Sequence, residues 1–247
     1  MEDILNEPIQ IDSPVQTEDV VRIAVLIDES GSMLSAADDT IKNVNGYLDE
    51  QATGDKPVIV SLYTFNGDTG VKERFVGVNA KEAPRMSRIS ADKEGKYVYS
   101  PRGGTPLYDA IGKVVSLETK DDVPTLVVIL TDGAENASRE IRSRADIQTV
   151  IKQQEDKGWS FVWLMAGLSL AESVNYASSI MGRSYEGATM AYAKGMEAEA
   201  FRGLASSTAS WDMAAREIKT SGGTISAQNM TKNFFDEGVR DIKKEKK

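Results

Sequence analysis

The chain of 247 residues contains no cysteine and no histidine. Without these two side chains it cannot form a disulfide, a zinc finger, a haem ligand set, or a Cys–His or Ser–His–Asp catalytic group. Any metal must therefore be bound through oxygen, which favours hard cations such as magnesium, manganese or calcium. Proton transfer would fall to carboxylates, tyrosines or lysines.

Basic residues are outnumbered, because 29 lysines and arginines stand against 38 aspartates and glutamates, for a formal net charge of −9. This balance disfavours nucleic-acid binding, which normally needs a basic face.

Long apolar runs are also missing, since the longest are strand-sized and far below the ~18 residues that indicate a membrane span. The N-terminus shows no basic segment followed by an apolar core, so we predict no secretory signal. We expect a cytoplasmic location, or virion association if the chain is phage-encoded.

Length and composition fit one large α/β domain, or one domain with a small appendage. We place an acidic N-terminal segment at 1–20, the α/β domain at 21–205 and a helical C-terminal extension at 206–247. The first segment carries six acids and no bases. It is interpreted as a flexible lead-in, with a docking arm for a partner as the alternative. The terminal KKEKK is expected to be a solvated tail.

Short apolar runs predict the strands of a sheet. The predicted strands are Val21–Ile27, Val58–Phe65, Arg74–Val78, Thr125–Leu130 and Phe161–Met165. The first and fourth are apolar on both faces, as central parallel strands require. The second and third are too close in sequence for a helical crossover, so we expect them to pair antiparallel.

Amphipathic stretches alternate with these strands and predict helices from Met33, after Pro106, through Ile147 and from Leu170. The alternation predicts a doubly wound, mostly parallel sheet with one antiparallel edge strand and helices on both faces. From about Thr189 onward the apolar spacing predicts helices alone. The last apolar stripes are Phe201 with Leu204, then Trp211 to Ile218, then Phe234 to Ile242. Trp159 and Trp163 are expected in the core, and Trp211 is expected to pack the C-terminal part onto the sheet.

Polar residues follow the two most buried strands. Ligands of open parallel sheets bind at the carboxyl ends of strands, where the strand order reverses. Asp28, Ser30 and Ser32 follow the first strand, and Asp132 follows the strand ending at Leu130. Thr105 lies in a third loop, just before the helix that begins after Pro106. Together these loops offer two carboxylates and three hydroxyls.

This set of oxygens suits a divalent hard cation. Ser30 and Ser32 are two residues apart in a turn, so both hydroxyls can aim at one point while Gly31 relieves crowding. The two aspartates can neutralise the ion directly or through water, and the threonine adds a hydroxyl. Magnesium tolerates so few charges because it keeps waters in an octahedral shell, with manganese or calcium as alternatives. The simpler alternative is that Asp28 and Ser30 only cap the following helix.

These residues resemble the metal-ion-dependent adhesion site (MIDAS) of von Willebrand factor A domains, which reads Asp-x-Ser-x-Ser, then a distant Thr and a distant Asp. The matching positions are Asp28, Ser30, Ser32, Thr105 and Asp132, within DESGSM, GGTPLYDAI and LTDGAEN. The resemblance covers about residues 20–205 and implies a doubly wound sheet. It also implies that the three hydroxyls touch the metal while the aspartates act mainly through water. TDGAENASRE and GWSFVWLMAG look most like stand-alone intracellular versions from bacteria and phages.

Five further polar residues lie near these loops. Glu29, Glu135 and Asn136 are expected at the rim, either as solvated loop residues or as partner contacts. Asp109 is expected to stabilise the N-terminal end of its helix, with support of the metal site as the alternative. Arg102 is interpreted as a surface arginine that could also steer an acidic partner.

The leading hypothesis for function is a non-enzymatic, magnesium-dependent protein-binding module for adhesion, adaptor or assembly roles. A partner Asp or Glu would complete the coordination of the metal. One alternative is a structural component of a virion or larger complex in which the metal only stabilises loops. A magnesium-dependent phosphohydrolase using Asp28 is disfavoured. Ser30 is not a second aspartate, and the chain has no phosphate-clamping lysine motif or Gly-rich phosphate cradle.

Overall fold

The apolar runs assemble into one sheet in the computed structural model, which describes residues 20–88, 97–118 and 123–243. Within these ranges the strands are β1 Val21–Asp28, β2 Val58–Asn66, β3 Gly70–Asn79, β4 Thr125–Thr131, β5 Ser160–Ala166, β6 Thr189–Tyr192 and β7 Asp241–Ile242. They lie in the order β3-β2-β1-β4-β5-β6-β7. The predicted acidic segment, except residue 20, and the tail after residue 243 lie outside the described residues.

The pairing of the strands confirms the predicted class of fold. β1 pairs in parallel with both β2 and β4, and the pairs from β4 to β7 are parallel as well. β3 pairs antiparallel with β2 and forms an edge of the sheet. The chain moves from β1 to β2 and β3 on one side, then returns to β4 on the other side. The strand order therefore reverses between β1 and β4, which is where such folds bind ligands.

Helices cover both faces of the sheet. They are α1 Ala37–Gln51, α2 Leu107–Leu117, α3 Arg144–Glu155, α4 Leu170–Met181, α5 Glu197–Thr220 and α6 Ala227–Thr231, with 3-10 turns at Gly31–Ala36, Ala80–Glu82, Glu186–Ala188 and Glu237–Val239. α1, α5 and α6 lie on one face, and α2, α3 and α4 lie on the other. Among the described residues, no helix has the length and apolar character needed to cross a membrane.

The region after residue 189 is mostly helical, but the prediction of helices alone was wrong. β6 is a buried strand of four residues, too short for its pattern to be told from a helix. Phe234 and Phe235 belong to no helix, and their rings pack edge to face with centroids 4.8 Å apart. Ile242 lies in β7, which is held on β6 by backbone hydrogen bonds. The two preceding stripes form one helix, α5, which runs across the expected boundary between residues 205 and 206.

The three tryptophans lie where the sequence predicts them. Trp159 and Trp163 are buried in the core. Trp211 of α5 is buried too, and its Nε1 donates to Ser160 Oγ at a distance of 3.0 Å. The buried indole thus finds a polar partner at the start of β5, as buried tryptophans usually do. Trp211 therefore fixes α5 on the sheet.

Candidate metal centre

Asp28 ends β1, and its carboxylate is held on both oxygens. Oδ1 accepts a hydrogen bond from the backbone N of Ser30 (2.7 Å), and Oδ2 accepts one from Thr131 Oγ1 (2.7 Å). The Tyr99 hydroxyl donates to the carbonyl of Asp28 at 2.6 Å. The parallel register pairs Ile27 with Leu130, so the next residues along the two strands are neighbours. The side chain of Asp28 is thereby fixed in a fully buried position.

A chain of hydroxyls connects the loop after β1 with the loop after β4. The Oγ atoms of Ser30 and Ser32 are 3.0 Å apart, and Ser32 Oγ donates to Asp132 Oδ1 at 2.5 Å. Ser30 is buried, whereas Ser32 is exposed. The two serine hydroxyls therefore converge, and Ser32 lies on the side that faces solvent.

Thr105 reaches the same place from the third loop. Its backbone N donates to the side-chain oxygen of Asn136 (2.8 Å), and the Asn136 backbone N donates to the carbonyl of Thr105 (3.0 Å). The hydroxyls of Thr105 and Ser32 both lie close to Gly133. A Cβ added there would lie 3.5 Å from Thr105 Oγ1 and 3.9 Å from Ser32 Oγ. The structure thus brings all five predicted residues to one place at the carboxyl end of the sheet.

The donor set fits a hard divalent cation. It consists of two carboxylates and three hydroxyls, all of them oxygen ligands of the kind that magnesium, manganese and calcium accept. Over the part of the chain that the structure describes, no group of three or more acidic side chains is arranged to hold a metal. A cation at this place would depend on hydroxyls and water for most of its shell, which suits magnesium.

The electrostatics of the centre depend on burial and on a lysine. Burial raises the pKa of Asp28 to about 6, although hydrogen bonds from Thr131 and Ser30 oppose that shift.

Lys194 lies beside Asp132, with its Nζ 2.7 Å from Oδ2 of that carboxylate and 3.2 Å from the carbonyl of Ser32. This lysine was not predicted as part of the site, because β6 was not recognised as a strand. A strand ending at residue 192 would have placed Lys194 among the ligand-binding loops.

Glu29 was expected at the rim, and this prediction was wrong. The residue is fully buried, and both of its carboxylate oxygens lie 3.0 Å from Nη2 of Arg74 in β3. The same carboxylate accepts from Thr64 Oγ1 (3.0 Å) and from the backbone N of Ser100 (2.6 Å). Its own carbonyl accepts from the backbone N of Arg102. Glu29 therefore ties the first metal loop to the β2–β3 hairpin and to the third loop.

The other residues near the loops have structural contacts. The carboxylate of Glu135 accepts from the backbone N of Tyr108 at 2.9 Å, so it caps the first turn of α2. Asn136 is exposed but positions Thr105 through its amide oxygen. Asp109 lies in the first turn of α2 as expected, but its carboxylate accepts from the backbone of residues 139–141. Arg102 is a surface arginine, and its Nε lies 3.8 Å from Oδ2 of Asp68.

We predict that Glu29→Gln destabilises the protein by about 3 kcal/mol, because the buried charge of Arg74 then loses its counter-ion. Urea unfolding followed by circular dichroism would measure the loss in the free energy of unfolding.

Glu73→Gln is the matched control for this prediction. Glu73 precedes Arg74 on β3, but its side chain is 46% exposed and pairs with Lys113 at 3.8 Å. We expect its loss to change stability by less than about 0.5 kcal/mol, as for most surface substitutions. Equal effects of the two substitutions would contradict the role assigned to Glu29.

Solved structures share this fold. One is described as von Willebrand factor type A from Catenulispora acidiphila, with a TM-score of 0.54 and 16% identity over 77% of this chain and 43% of that one. Another is proximal thread matrix protein 1 from the mussel byssus, with a TM-score of 0.54 and 17% identity over 82% of this chain and 48% of that one. A form of the mussel protein with a zinc-occupied MIDAS motif gives a TM-score of 0.53 and 17% identity, over 82% and 47% of the two chains.

The chain spans less than half of the length of each of these proteins. At such identities the similarity concerns the fold. Comparison with curated protein sequences gave no match. Residues 23–187, which are more than half of the chain, match the sequence profile of the von Willebrand factor type A domain. This match includes all five residues of the candidate metal centre, and the chain belongs to the von Willebrand factor type A domain family.

Proposed function

We propose that this protein is a non-enzymatic, metal-dependent protein-binding module. Asp28, Ser30, Ser32, Thr105 and Asp132 would hold one divalent cation, which we take to be Mg²⁺. The cation would supply an electrophilic point at the surface, and an Asp or Glu of a partner protein would complete its coordination. Such a module would serve in adhesion, as an adaptor or in assembly.

The convergence of the three hydroxyls is the observation that carries this proposal. The Oγ atoms of Ser30 and Ser32 already lie 3.0 Å apart, and a Cβ added at Gly133 would lie within 3.9 Å of both Thr105 Oγ1 and Ser32 Oγ. Because the loops are held by the fold, binding a cation requires little reordering of the chain. The exposed side of Ser32 leaves an approach for a partner carboxylate.

The mussel protein supports a metal at this place, since its structure was solved with zinc in the MIDAS motif. Our choice of magnesium depends on the hydroxyl-rich set of donors, with manganese or calcium as alternatives. The assignment to the stand-alone bacterial or phage type stays a prediction, as does the cytoplasmic or virion location.

The contacts of the loops disfavour the two alternative functions. A metal that only ties loops together would be redundant here, because backbone hydrogen bonds already join Gly31 to Gly103 and Thr105 to Asn136. A phosphohydrolase would need Asp28 as an accessible nucleophile. That side chain is fully buried, and its two oxygens are engaged by Ser30 and Thr131.

We predict that Ser32→Ala weakens Mn²⁺ or Mg²⁺ binding at least about tenfold, because one oxygen ligand is lost and Asp132 loses a hydrogen bond. Isothermal titration calorimetry would measure the affinity. Capture of the partner from the native source should require Mg²⁺, fail in EDTA and fail with this variant.

Ser35→Ala is the matched control, since Ser35 is an exposed serine in the same 3-10 turn. It should bind metal and partner like the wild type. Partner capture that persists undiminished in EDTA and in the Ser32 variant would falsify the proposed function.

The raised pKa of Asp28 predicts that metal affinity depends on pH. An aspartate with a pKa of about 6 becomes protonated below that value, and a proton competes with the metal. We therefore expect metal affinity to fall about tenfold between pH 7.5 and pH 5, whereas an ordinary aspartate would stay ionised over this range. Calorimetry at several pH values would measure this, with circular dichroism to verify folding. Equal affinities at pH 5 and pH 7.5 would contradict the shifted pKa.

A further inference from the structure

Lys194 places an ammonium group directly on the metal centre. It follows β6 at the carboxyl end of the sheet, and its Nζ lies 2.7 Å from Asp132 Oδ2 and 3.2 Å from the carbonyl of Ser32. The side chain of Asp132 is 1% exposed, whereas that of Lys194 is 41% exposed. Lys194 therefore covers the carboxylate and faces solvent above it.

The stem of this lysine is supported by the neighbouring loop. Gly167 follows β5 with a positive φ of 76°, and a Cβ there would lie 3.4 Å from Lys194 Cε. The backbone N of Gly167 donates to the carbonyl of Tyr192 at 2.8 Å, which joins the loops after β5 and β6. The side chain of Lys194 thus packs against Gly167, and its ammonium group reaches Asp132.

The ammonium changes the charge of the centre. Two carboxylates and one ammonium leave a formal charge of −1, so a divalent ion would bring the centre to +1. Without the lysine, the same ion would make the centre neutral. Like charges a few ångströms apart repel even in a water-like dielectric, so the lysine opposes the ion. The remaining positive charge favours an anion as the next ligand.

We propose that Lys194 sets the balance between metal affinity and carboxylate affinity at this centre. Its ammonium weakens binding of the divalent ion and keeps the loaded centre positive, so that a carboxylate becomes the preferred further ligand. This inference rests on the proposed function and assigns to Lys194 the part of a specificity-determining residue. A partner would therefore meet two cationic groups, the ion and the lysine, at one point of an otherwise acidic protein.

Mn²⁺ binding to the full chain tests the first part of this proposal. Calorimetry should show that Lys194→Met binds Mn²⁺ about tenfold more tightly than the wild type, because a unit positive charge beside the ion is removed. Lys194→Arg keeps the charge and should bind like the wild type. Lys152→Met is the matched control, because Lys152 pairs with Asp156 on the surface near the end of α3. It should leave Mn²⁺ affinity unchanged.

Acetate, a small carboxylate, tests the second part of the proposal, which is the affinity of the metal-loaded centre for a carboxylate. At saturating Mn²⁺, acetate should displace metal-bound water from the wild type at lower concentrations than from Lys194→Met. The fall in water-proton relaxation rate would measure this displacement. Melting in EDTA, followed by circular dichroism, would show that each variant is folded.

The outcomes separate this inference from the function on which it rests. Equal or weaker Mn²⁺ binding by Lys194→Met, with a wild type that binds Mn²⁺, would overturn the role of Lys194 alone. The same holds if Lys194→Arg behaves like Lys194→Met, or if acetate affinity is unchanged. A wild type that binds no Mn²⁺ would contradict both the proposed function and this inference.

Discussion

The parallel pairing of β1 with β4 is the constraint on which the metal centre depends. This pairing lies where the strand order reverses, which is where open parallel sheets bind their ligands. Its register places Thr131 beside Asp28, and the hydrogen bond between them fixes the buried carboxylate. Asp132 is the next residue along the chain, and its Oδ1 accepts a hydrogen bond from Ser32 Oγ of the loop after β1. Two long buried strands thus determine the positions of both acids.

The surroundings of the centre hold it in place without help from a ligand. The Glu29–Arg74 pair anchors the first loop on the edge hairpin, and Asn136 anchors Thr105 on the loop after β4. These contacts are made by buried or hydrogen-bonded groups, which limits the freedom of the hydroxyls. A chain without histidine or cysteine has in this way built an oxygen-only site from serine, threonine and aspartate. Lys194 then reduces the negative charge that this site offers.

Much of the fold and all five residues of the candidate centre could be predicted from the sequence, because long buried strands and contiguous motifs leave a clear pattern. β6 could not, since four buried residues fit a helix and a strand equally well. Missing that strand also meant missing Lys194 at its end. The inward direction of Glu29 depends on Arg74, which is distant in sequence and reaches it through the hairpin. Such pairings are set by tertiary packing, so no local pattern indicates them.

The position of a bound cation would show whether these five residues form a metal site. Diffraction data from crystals of the protein grown with Mn²⁺, collected where manganese scatters anomalously, would locate the ion. We predict one strong anomalous peak between the hydroxyls of Ser30, Ser32 and Thr105, on the outer side of Asp28 and Asp132. A peak bound to other residues, or no peak at saturating Mn²⁺, would contradict this prediction.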